Sequence, residues 1–173
     1  SLAWSPPRPL PGNVTDFTNG APALTAATAA ASGEGAGVVA LRYGGSLLTA
    51  LVRQPDYEFG TPSVVAGGTV GSIDQPSVSV ADNGTAVVAF HASGGRSGSG
   101  RVLYSFRAPE GRFGRVVSLA TSDGLAPATA QADDGWPVVT WTNKSAVYVS
   151  RIGDTGRPTA PQRLGAARRG API

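Results

Sequence analysis

His91 is the only histidine in the chain, and Ser93 lies two residues beyond it. A nucleophilic triad needs a base to take the hydroxyl proton and an acid to orient that base. No nucleophile elbow surrounds Ser93, so a structural or solvent-facing histidine is expected and no catalytic residue is assigned. Two oxygen-rich turns, Asp82-Asn83-Gly84 and Asp133-Asp134-Gly135, carry the kind of ligand a Ca²⁺ site uses. They recur at matching places, and Asp, Asn and Gly suit tight hairpins for backbone reasons. Turn chemistry accounts for them, and neither a metal nor a cofactor is expected. Arg101, Arg107, Arg112 and Arg115 are candidate phosphate contacts. They lack interleaved aromatics beyond what a strand needs, and Lys144 is the sole lysine, so nucleic acid is not the expected partner.

The elements that position these residues are written in the composition. The chain of 173 residues is 41% hydrophobic but only 14% charged, with 24 Gly and 14 Pro. Gly and Pro cost roughly 1 and 3 kcal/mol in a helix interior, so this mixture favours short strands joined by tight turns. With no Cys, disulfides and thiolate metal sites are excluded. No stretch approaches the roughly 18 apolar residues that a transmembrane helix needs. The net charge of +3 hides an asymmetry: residues 1–95 hold three Arg and six acids, and residues 96–173 hold ten Arg, Lys144 and five acids. An Arg-decorated sheet surface is the plain reading of the basic half.

Self-similarity is the most informative signal. Gln75 to Ala81, the Asp82-Asn83-Gly84 turn and Thr85 to Phe90 are followed by Arg101 to Arg107, a Pro109-Glu110-Gly111 turn and Phe113 to Leu119. That is four short apolar runs. Pro127 to Ala132, Trp136 to Trp141, Ala146 to Arg151 and a last run to Leu164 repeat the order. A looser copy runs from Pro22 to Val65. Val38, Val87 and Val138 open the second runs at spacings of 49 and 51, and Arg53, Arg107 and Arg151 close the third. Ala21 to Ala31 is rich in the best helix former, yet its register against the other copies makes it a strand. A β-sandwich also has short, evenly spaced strands, but it does not require a repeat.

A period near 50 holding four strands predicts an all-β chain of about three four-stranded antiparallel β-propeller blades. The arrangement resembles the secreted bacterial β-propeller repeats of the group that includes TolB-like and sialidase-like propellers. The Asp-Gly hairpins, each followed by an apolar strand ending in Phe90 or Trp141, carry that resemblance over residues 20–165. It implies architecture and little about activity. Sialidase chemistry needs an arginine cluster and a Tyr–Glu pair, whereas Glu34, Glu58 and Glu110 are the only glutamates. The S-x-D-x-G-x-T-W blade signature is absent too.

The expected division is a tail of a preceding unit or a closing strand at 1–19, blades at 20–66, 67–120 and 121–165, and the start of a further unit at 166–173. Propellers have roughly four to eight blades. Either the chain is a section of a longer ring or copies associate as a homo-oligomer to complete one. Propellers usually bind through the loops joining second to third strands and fourth strands to the next blade. Those loops hold Arg42 and Tyr43, Asp74 and Gln75, His91 to Arg96, Asp123, and Asn143 with Lys144. The expected function is a non-catalytic binding or assembly module, extracellular or at the cell surface, recognising a protein or carbohydrate ligand. The rival is a section of a larger secreted hydrolase whose catalytic residues lie outside this chain.

Overall fold

The hairpins set the register of everything that follows. Gly35, Gly84 and Gly135 each take a left-handed backbone, at φ +92°, +81° and +78°, a conformation open to glycine at no steric cost. Gly84 N–H donates to Ala81 O at 2.9 Å and Gly135 N–H to Ala132 O at 2.8 Å. Asn83 Oδ1 accepts from Thr85 N–H at 2.9 Å, and Asp134 Oδ1 from Trp136 N–H at 3.2 Å. These side chains mimic a backbone turn two residues ahead.

A computed structural model describes residues 23–54, 58–94, 100–120, 124–132, 134–143 and 146–166. The first sheet comprises β1 (Leu24–Ala31), β2 (Gly37–Tyr43), β3 (Leu47–Arg53) and β4 (Ser63–Ala66). The second comprises β5 (Ser72–Val80), β6 (Ala86–Ser93), β7 (Arg101–Arg107) and β8 (Val117–Ala120). The third comprises β9 (Gly124–Gln131), β10 (Pro137–Asn143), β11 (Ala146–Arg151) and β12 (Gln162–Ala166). Each sheet is an antiparallel meander in chain order. The architecture is all-β, with three four-stranded antiparallel sheets, consistent with propeller-like blades. Among the described residues there is no helix, and the sheets do not close a ring. The expected segment 1–19 lies outside the described residues, as does everything beyond Ala166.

Alternation along the strands decides what faces what. Val88, Phe90 and Ala92 of β6 pack with Val38, Ala40 and Leu48 of the first sheet. Val87 and Ala89, one residue out of phase, pack with Val139, Trp141 and Ile152 of the third. The second sheet therefore lies between the other two, and β6 reads as a continuous apolar run because both of its faces are buried. The innermost strands carry the junctions: Ser77 Oγ of β5 accepts from Thr129 N–H of β9 at 3.0 Å and meets Thr129 Oγ1 at 3.1 Å. The alanines of β1 pair with β2 from Ala26 to Ala31, so tertiary pairing overrides a helix preference worth only tenths of a kcal/mol per residue.

Two expectations need correction. The run Phe113 to Leu119 is not one strand: Phe113 forms an isolated bridge with Arg107, and β8 begins only at Val117. Gly114 is drawn out of the ladder, its N–H donating to Phe106 O at 2.8 Å and its carbonyl accepting from Ser105 Oγ at 2.7 Å. The three strand-ending arginines are also not equivalent. Arg53 pairs with Gly37 and Arg107 with Ala86, but the matching Pro137 carbonyl accepts from Ile152 N–H at 2.8 Å. Arg151 is one residue out of step, which turns its side chain to the other face of the sheet.

Candidate binding surface

One end of the stack carries the β2–β3 turn and the start of β5. Arg42 is the hub there. Its Nη1 donates to Ile73 O at 2.9 Å and to Asp74 Oδ1 at 2.6 Å, and its Nε donates to Thr25 Oγ1 at 3.0 Å. The guanidinium thus joins β1 and β2 to the second sheet. The Arg42 side chain is 19% exposed and that of Asp74 58%, so the arginine is anchored and the carboxylate stands in solvent. An ion pair this exposed contributes about 0–1 kcal/mol; its clearer effect is to fix orientation.

Gln75 follows, at φ +49°, and its repeat partner Ala126 sits at φ +48°. Both precede a proline, Pro76 and Pro127, and both lie at breaks in the pairing register. Left-handed backbone is uncommon for residues other than glycine. The bulges are fastened to each other: Gln75 Oε1 accepts from Ala126 N–H at 3.0 Å.

The sequence-derived residues separate as follows. Arg42, Asp74 and Gln75 come together. His91 is in β6 rather than in a loop, directly across from Asp74 in the ladder. Its ring is half-buried against Gly100, and its Nε2 has no hydrogen-bond partner among the described residues. Tyr43 points the opposite way from Arg42 and is buried with Leu41 and Leu51. Asn143 ends β10 on the third sheet and is half-buried. Arg96, Asp123 and Lys144 lie outside the described residues. Thr25 was missed, since nothing local marks a threonine that orients an arginine seventeen residues away.

The opposite end carries the hairpins of the three innermost strands. Ser32, Ser79, Asp82, Thr129 and Gln131 line a cleft of about 480 Å³ there. Asp82 Oδ1 accepts from Glu34 N–H at 3.0 Å. The Ser32 hydroxyl and this N–H hold the Asp82 carboxyl below the usual carboxylate range. Asp82 therefore ties the second sheet to the first. Arg151 and the Trp136 N–H hold Asp134 low in the same way, but that contact closes only its own sheet.

Both ends offer fixed hydrogen-bonding groups on a rigid strand scaffold. No protein-family model matches the chain, and a search of curated proteins finds no match either. No helix among the described residues is long and apolar enough to cross a membrane.

Proposed function

We propose that the chain is an exported, non-catalytic binding or assembly module, recognising a protein surface or a glycan through the end that carries Arg42 and Asp74. The observation that supports this most is a contrast between strands and turns. The first two strands of each sheet keep a matching register, while the turns at this end differ. Three residues separate β2 from β3, seven separate β6 from β7, and two separate β10 from β11. A constant scaffold with variable loops is how a surface is given specificity. Anchored Arg42 presents the Asp74 carboxylate in a fixed orientation, which suits recognition of hydroxyl and amide donors.

A glycan array and a protein-interaction screen, run beside a panel of glycosidase substrates, test this reading. Saturable binding without turnover, weakened in Asp74→Ala, supports it. Turnover of any glycoside favours the alternative, a section of a larger secreted hydrolase.

A further inference from the structure

Two grooves separate the three sheets near the hairpin end, and they occupy equivalent places in the repeat. In the groove between the second and third sheets, Tyr104 and Phe106 fill the space, leaving about 250 Å³. Tyr104 Oη donates to Gly156 O at 2.8 Å, and Gly156 packs closely against the Phe106 side chain. In the groove between the first and second sheets, the register puts Ala50 and Val52 where those rings would stand. That groove is open, at about 530 Å³.

The open groove also holds a buried charge that its counterpart lacks, since the arginines lining the closed groove, Arg115 and Arg157, are exposed. Arg107 is buried and faces the first sheet, while the equivalent position on the third sheet is Ile152, fully buried and apolar. The fold is therefore satisfied by a hydrocarbon at this place. Arg107 Nη1 donates to Gly84 O at 2.5 Å, which uses one of five N–H donors. Among the described residues no carboxylate pairs with Arg107, and desolvation pulls its pKa below the ordinary arginine value. Arg112 stands exposed in the same lining, with Phe113 beside it. The opposite wall is β4, the outermost strand of its sheet, with Ser63 beside Ala50 in the ladder and the exposed Pro62 just before it.

We propose that this groove is a docking site for an extended, acidic segment of a partner protein. A carboxylate of the segment enters to meet the Arg107 guanidinium, and Arg112 closes on it from the rim. A guanidinium fork matches a carboxylate in two parallel bonds, and it is worth more where water is excluded. The segment's backbone runs beside β4, whose outer side has no strand partner among the described residues, and an apolar neighbour of the acid rests on Pro62 and Phe113. The site lies at the other end of the sheets from Arg42 and Asp74, so it stands or falls independently of the function proposed above.

The test uses the whole protein and a labelled, end-capped pentapeptide alternating leucine with glutamate, followed by fluorescence anisotropy and by backbone amide shifts. Saturable binding is expected, with shifts centred on Gly84, Gly111, Arg112 and Phe113. Arg107→Ile, which copies the third sheet, should keep the melting temperature and lose roughly 30-fold or more in affinity. Arg112→Ala, on the exposed rim, should lose a few-fold and weaken the salt dependence. Equal binding of the leucine–glutamine peptide overturns the proposal, as does unchanged affinity in Arg107→Ile. Binding of inorganic phosphate without binding of the peptide also overturns it, leaving only a small-anion site.

Discussion

The two inter-sheet grooves are built by the same repeat and finished differently. Where the second and third sheets meet, two aromatic rings, a glycine and a buried isoleucine close the gap. Where the first and second sheets meet, alanine, valine and a buried arginine stand at the matching places and leave it open. The closed groove shows what packing alone requires, so the open one can be read against it. A buried charge costs several kcal/mol unless it is well paired. Its presence where the repeat also accepts isoleucine marks Arg107 as a residue that the fold does not demand.

The sharpest way to break this comparison is to exchange the two residues. Ile152→Arg should destabilise by about 3–5 kcal/mol, because it buries a charge without a partner. Arg107→Ile should stay within about 1 kcal/mol, the lost bond to Gly84 being offset by relief of a desolvated cation. Urea unfolding of both variants measures the difference; equal losses would make Arg107 structural. Next in size are the paired turn glycines. Gly156→Ala places a Cβ 2.8 Å from the Phe106 ring at φ +72° and should cost about 2 kcal/mol. Gly111→Ala meets the Ala108 carbonyl oxygen at 3.2 Å and the Ala108 Cβ at 3.7 Å and should cost under about 1 kcal/mol. Tyr104→Phe keeps the ring and removes the bond to Gly156, for about 1 kcal/mol by thermal unfolding.

The smallest expected effect is one of pH. The carboxyl of Asp82 is depressed by Ser32 first and then by the Glu34 N–H. A depressed carboxyl contributes stability above its unfolded value, near 3.9, and that contribution is lost as pH falls through the folded value. Acidification below about pH 4 should therefore loosen the tie between the first two sheets. The melting temperature of Asp82→Asn should fall less steeply over that range than the parent's. An unchanged slope would remove Asp82 from the account.

Much of the fold is legible in the amino-acid sequence. The Asp-Gly turns, the four-run order and the spacings of Val38, Val87 and Val138 specify strands and hairpins, and they override the helix preference of the alanine-rich first strand. The surface was less legible. Arg42 and Tyr43 are adjacent on a strand, so their side chains take opposite faces; listing both in one loop concealed that. The pairing of Arg42 with Asp74 depends on how two sheets stack, which no local pattern encodes. The slip between Arg107 and Arg151 came from matching residue type rather than ladder position. Only the hydrogen bonds reveal that Ile152 is the true counterpart.

All of this rests on the second sheet lying between the other two, with β6 covered on both faces and β12 on the edge of the third sheet. Amide hydrogen exchange followed by NMR tests that directly. Ala86 to Ser93 should exchange only on global unfolding, while Gln162 to Ala166 should exchange orders of magnitude faster through local opening. Comparable protection of the two strands would contradict the arrangement.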